Sequence, residues 1–265
     1  MTEYQKQEIM GQSRHQFIYG YDSEERTQFL KSLVDDYPIK MDENSPMAIY
    51  MDEFALPNIE IKNENIDKIR LCTISREYLN FSIAYNIMDQ LRKQVDIEKI
   101  NNRNEEFLDF INRILMRRSN SKITSYDEFC KILNESRNFY SKYYQQYILD
   151  DVKNMDIDSL KIQFLVLDML INHLKEMLNN NSYFGIIIDS KNSMPMISTN
   201  AINGLIASRI NRNLSMKVSC QIENWQSYYD LNGVIVEYVH DYGIVELDDN
   251  YSKHVKQIQL KHQKI

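Results

Sequence analysis

The chain has 265 residues, 43% of them hydrophobic, and a formal net charge of −7. That much apolar surface excludes a disordered chain, and the acidic balance argues against a protein that grips nucleic acid over its whole surface. With six glycines and four prolines, long helices and few tight turns are expected.

In chain order, a short strand is predicted over Gln16–Tyr19, ending at Gly20, and a helix over Ser23–Asp36 with Phe29, Leu30, Leu33 and Val34 on one face. Pro38 and the polar run Asp42–Pro46 break it before a second strand, Met47–Met51. The middle reads as helical. Leu79, Ile83, Ile87, Leu91 and Val95 recur every four residues, and Phe107, Ile111 and Leu115 continue the pattern. Ser125-Tyr126-Asp127-Glu128 has the form of a capping box opening a helix that carries Tyr140, Tyr143, Tyr144 and Tyr147. Those tyrosines are read as packing between helices rather than as a partner-binding face. Leu160, Phe164, Leu167, Ile171, Leu174 and Leu178 mark a further long helix.

Tyr183–Ile188 is a nearly continuous apolar run, the pattern of a strand buried on both faces. Ser198 or Thr199 is the expected cap of a helix bearing Ile202, Ile206 and Ile210. Met216–Ile222 reads as another strand, followed by a turn or short helix around Trp225–Leu231. Val234–Val239 and Gly243–Leu247 read as a closing strand pair turned at His240-Asp241-Tyr242. The alternation of strands and helices is that of a three-layer α/β fold with a parallel sheet. One domain is expected, with its core over residues 14–75 and 182–250 and a large helical insertion over 76–180.

Cys72, Cys130 and Cys220 are far apart and show no CxxC spacing, which argues against a disulfide framework and against zinc. Reduced thiols in the cytoplasm fit this, as does a polar N-terminus with no apolar signal core. No stretch approaches the ~20 apolar residues of a membrane span, so no membrane association is expected. The histidines (His15, His173, His240, His254, His262) have no metal-ligand spacing, and His240 and Asp241, adjacent on a strand, would point to opposite faces. No GxSxG nucleophile elbow is present. The basic groups Arg113/Arg117/Arg118 and Lys253/Lys256/Lys261/Lys264 are read first as solvated faces.

Ligands of parallel sheets bind at the carboxyl ends of the strands, and two segments fall there. Gly20-Tyr21-Asp22-Ser23-Glu24-Glu25-Arg26-Thr27 has the length and setting of a GxxxxGK(S/T) phosphate loop. Gly20 matches its first glycine and Thr27 its metal-binding hydroxyl. Arg26 stands where the lysine belongs, keeping the charge but not the compact ammonium, and Glu25 replaces the second glycine. Asp22, Glu24 and Glu25 would repel a polyanion, and the same residues serve equally as an ordinary acidic helix start. The second segment, Phe184–Ser190, is an apolar strand ending in Asp189, the pattern of a magnesium-supporting aspartate. Ser190 occupies the place of the acid that would activate water, and serine does not act as that base at neutral pH. Asp52-Glu53, after the second strand, is either near the same sheet edge or a solvated loop.

With IIIDS, STNAINGLIASRINRN, SMKVSCQIENW and GVIVEYVHDYGIVELDD, the span Ile186–Leu247 resembles the distal half of an AAA-type P-loop ATPase core. In particular it resembles the origin-recognition-like ATPases of bacterial mobile elements and defence loci. Gly20–Thr27 matches less well, and 76–180 is not covered. The resemblance implies an ATP-dependent switch working in an oligomer, with Thr27 and Asp189 carrying magnesium, Arg26 the phosphates and Asn224 the polar sensor role. The helical lid of such ATPases is not expected here.

Three functions follow as expectations. The first is a degenerate P-loop protein with no catalytic residue, acting as an interaction module with an active ATPase homologue or another protein partner. The second is a slow ATPase binding ATP and magnesium, with Arg26 standing in for lysine. The third is a nucleic-acid-handling protein of a mobile element, supported only by the basic tail and Arg117/Arg118.

Overall fold

Five short apolar runs pair into one parallel sheet: β1 (His15–Tyr19), β2 (Met47–Asp52), β3 (Phe184–Asp189), β4 (Leu214–Ser219) and β5 (Tyr242–Glu246), in the order β2-β3-β4-β1-β5. The computed structural model describes residues 3–20, 23–52, 68–95, 101–114, 122–148, 167–190, 196–207, 213–220, 225, 227–230, 232–238 and 240–247. The chain divides into two compact units, one of Met1–Pro38, Ser45–Ala55 and Tyr183–Ile265, the other of Ile39–Asn44 and Leu56–Ser182. No helix among the described residues is long and apolar enough to cross a membrane.

The first unit holds the sheet. Its central strands β3 and β4 are buried along their whole length, as the unbroken apolar run of β3 requires. From β1 the chain passes two strands to reach the far edge at β2, then steps back through β3 to β4. Right-handed crossovers in opposite directions place their helices on opposite faces of the sheet. On one face, Phe29, Leu30 and Leu33 of α2 (Ser23–Asp36) pack with Ile18, Ala48 and Ile187. On the other, Phe17 meets Trp225 edge-on at 4.9 Å and Tyr242 at 4.7 Å. There α7 (Met196–Ala207) holds the neighbouring segment, Asn203 Nδ2 donating to the carbonyls of Ser227 (2.8 Å) and Tyr229 (2.9 Å). The unit is therefore a three-layer α/β arrangement.

A further helix, α1 (Glu3–Met10), went unpredicted, because only Ile9 and Met10 in it are apolar and buried. Both join the α2 face of the core. Met10 lies so close to β3 that a Cβ on Gly185 would stand 2.8 Å from its Cε. Beneath the sheet, Lys217 Nζ donates to the carbonyls of Gln12 (2.7 Å) and Arg14 (3.0 Å) and to Gln16 Oε1 (2.5 Å). Burial and the Arg14 charge push this amine well below its usual range, while three oxygen acceptors suit the three protons of an ammonium.

Two expectations fail here. Val234–Val239 does not pair with Gly243–Leu247: β5 lies parallel to β1, His15 opposite Tyr242 and Tyr19 opposite Glu246. The reason is local. The Asp230 carboxylate accepts from the backbone N–H of Asn232 (2.8 Å) and Val234 (2.7 Å), with Gly233 at φ +79°, and this turns the segment back on itself. Tyr229 then bridges Ile235 antiparallel, and no helix forms over the described part of Trp225–Leu231. Nor do Ser198 and Thr199 cap α7, which begins at Met196; the Thr199 hydroxyl donates back to the Met196 carbonyl at 2.8 Å from within the helix. Ile210 lies outside the described residues.

The second unit is helical: α3 (Lys68–Gln94), α4 (Asn101–Ile114), α5 (Tyr126–Ile148) and α6 (Leu167–Leu178). The stripe Leu79, Ile83, Ile87, Leu91 and Val95 is buried. Leu115, Leu160 and Phe164 lie outside the described residues. Ser125 Oγ accepts from Glu128 N (3.2 Å), while the Glu128 carboxylate reaches Thr124 N (2.9 Å), one residue before the position a capping box uses. Helices α3 and α5 run antiparallel along a seam of named pairs. Arg70 donates to the Tyr143 hydroxyl and lies 5.3 Å from the Tyr147 ring. Phe81 stacks on Tyr140 at 5.5 Å, Arg137 lies 4.7 Å over Tyr85, and Arg92 Nη1 is 2.9 Å from Asp127. Across α4 and α6, His173 stacks on Phe110 at 4.1 Å, and burial lowers its pKa.

Candidate functional site

Parallel register brings four of the predicted residues together at the carboxyl ends of β1 and β3. Gly20 follows β1 at φ +102°, a conformation that side-chain-bearing residues rarely adopt, so the chain turns sharply into α2. The fourth and fifth residues of that helix, Arg26 and Thr27, both point inward. Asp189, the last residue of β3, is 1% exposed and meets them.

One oxygen of the Asp189 carboxylate, Oδ2, accepts two hydrogen bonds. Thr27 Oγ1 donates to Oδ2, and so does the Tyr50 hydroxyl at 3.1 Å. Arg26 Nε lies 3.7 Å from Oδ1, with both side chains buried. Arg26 Nη2 also donates to the Ser190 carbonyl at 3.4 Å, and Ser190 N donates to Ser219 O at 2.8 Å, tying the end of β3 to β4. One cation and two hydroxyls thus surround one carboxylate. The pair is loose: Arg26 Nε and Asp189 Oδ1 face each other without a hydrogen bond, and Ser219 Oγ beside them has no partner among the described residues.

Tyr50 was missed by sequence reasoning. Strand alternation puts Ala48 and Tyr50 on one face of β2, and the backbone of Asp52 pairs in register with Asp189. That alternation was visible in Met47–Met51; the register that brings Tyr50 to Asp189 was not. Lys31 of α2 lies over the Tyr50 ring at 5.3 Å.

Other expected positions divide clearly. Asn224, Tyr21, Asp22, Glu53, Arg117, Arg118 and the lysines from Lys253 to Lys264 lie outside the described residues. Glu24 and Glu25 are exposed, while Ser190 is buried. Asp241 Oδ2 accepts from Glu237 N at 2.9 Å, a turn role, and His240 is exposed. Burial and the Lys217 charge bring His15 down to about 4, and its Nδ1 accepts from Met216 N at 2.9 Å. Cys130 and Cys220 are buried. No cluster of three or more His, Cys, Asp or Glu side chains that could hold a metal occurs among the described residues.

Thr27 and Asp189 are adjacent, as two ligands of one magnesium ion would be. Magnesium demands near-octahedral oxygen coordination at about 2.1 Å. Here Asp189 Oδ2 already accepts two hydroxyl protons, and Oδ1 faces a guanidinium. As arranged, the residues do not fit a magnesium–phosphate group: the cation of the site is Arg26. No protein-family model, curated protein or solved structure matches the chain at a significant level.

Proposed function

We propose that this chain is a degenerate P-loop-like protein that serves as an interaction module in a multi-protein assembly, without nucleotide turnover. The observation that carries the reading is the buried Arg26–Asp189 pair. In a working phosphate site the loop cation reaches the phosphates and the aspartate supports magnesium. Here the two groups face each other as a buried ion pair, Arg26 Nε 3.7 Å from Asp189 Oδ1. Support for the P-loop-like ancestry is the setting, a glycine turn between a parallel strand and a helix with an aspartate ending a nearby strand. The partner is an active ATPase homologue or another protein, engaged without any need for ATP.

Calorimetry with ATP and magnesium on the full chain tests this. We expect no saturable heat and no rise in melting temperature with excess nucleotide, and the same partners captured from extract whether ATP is supplied or destroyed. Saturable binding that disappears in Thr27→Ala would overturn the proposal in favour of a slow ATPase, in which Arg26 swings out to the phosphates.

A further inference from the structure

The seam between α3 and α5 contains a second buried carboxyl. Glu77 lies one turn before Phe81 on α3 and is 6% exposed. Its Oε2 has no hydrogen-bond partner among the described residues. Among the described residues, the groups around it are few. On its own helix, Arg76 Nε is 3.9 Å from Oε1, but that side chain is 59% exposed. From α5 the neighbouring titratable group is the Tyr140 hydroxyl, itself pushed up by burial and by the Glu77 charge. Arg70 and Arg137, further along the seam, are engaged with Tyr143 and Tyr147 and with Tyr85. Helix α6 also packs on α3, and among the described residues none of its charged groups acts on Glu77. A buried carboxylate without donors is costly, so the group neutralises by holding its proton. Desolvation accordingly raises Glu77 from 4.5 to about 7, with Arg76 opposing.

We propose that Glu77 makes the α3–α5 seam proton-responsive: protonated, it packs as a neutral side chain beside Tyr140 and Phe81; ionised, it places in the seam a charge that the solvent-exposed Arg76 offsets only in part, and loosens it. The helical unit would then change firmness across the neutral range without any ligand.

Two measurements on the full chain test this. Melting temperature of the wild type should fall by roughly 5–10 °C between pH 5 and pH 8, while Glu77→Gln, which keeps the shape and never ionises, should lose that fall. Carbon-detected titration of the glutamate carboxyls in the wild type should show one midpoint near neutrality, and this needs no variant to fold. Parallel melting profiles for wild type and Glu77→Gln, or glutamate midpoints all below about 5.5, would overturn the proposal.

Discussion

Asp189 and Glu77 are both buried acids, and they meet burial in opposite ways. Asp189 gathers Arg26, Thr27 and Tyr50. Glu77 has one exposed arginine beside it and an unpartnered oxygen. Burial penalises the charged form of either acid, so the difference lies in what each fold supplies: a counter-charge and hydroxyls for one, a proton for the other. The second therefore responds to pH across the neutral range.

The largest effect should come from breaking the buried ion pair. Asp189→Ala strands the Arg26 guanidinium, 1% exposed, without its counter-charge. A loss of about 3–5 kcal/mol is expected, since removing one partner leaves a buried charge uncompensated. Replacing both, as Arg26→Met with Asp189→Leu, should recover most of it, because an apolar pair of similar volume is often neutral. Urea denaturation of the three variants measures this. If Asp189→Ala proves as stable as wild type, the pair is not the buried neutral unit described, and the pseudo-site reading loses its main support.

The residues of this pair were legible in the sequence; their mutual engagement was not. Gly20, Arg26 and Thr27 follow from spacing, and Asp189 from the apolar run that ends in it. That Arg26 turns inward to Asp189 depends on β1 and β3 being held apart by β4, a tertiary fact. The same distinction runs through the fold. Helix α2 was readable because Gly20 and Pro38 bound a clean apolar stripe, and β3 because both its faces are apolar. Helix α1 was not, since its sequence is polar and its order comes from Met10 fitting against Gly185. Val234–Val239 alternates like a strand, yet the Asp230 side chain captures its backbone donors while the open side of β1 takes Tyr242–Glu246. Nothing in the sequence singles out Glu77, because a heptad-scale pattern does not say which acid is buried.

An intermediate effect sharpens the other side of the comparison. An unfolded glutamate near 4.5 and a folded one near 7 give a definite sign. Stability from this group is full below the unfolded value and is lost as pH rises through the folded value. The loss by pH 8 is on the order of 3 kcal/mol. Glu77→Leu should therefore be more stable than wild type at pH 8 and lose that advantage at pH 4.5, as read by denaturant midpoints. An advantage independent of pH would mean that packing volume, not ionisation, is what the substitution changes.

The smallest expected effect asks how much of the hold on Asp189 comes from hydroxyls rather than from Arg26. Tyr50→Phe removes one donor and keeps the ring under Lys31. A hydrogen bond to a charged group contributes about 1.5–3 kcal/mol, but Tyr50 is only half-buried at the sheet edge, so about 1 kcal/mol is the expected loss. Combined with Arg26→Met, the two losses should exceed their sum, since the carboxylate would then depend on Thr27 alone, and neighbours sharing one partner couple. Strict additivity in that double-mutant cycle would show that Tyr50 and Arg26 serve Asp189 independently. In that case the arginine alone sets the charge balance of the site, and Tyr50 positions the carboxylate without helping to hold its charge.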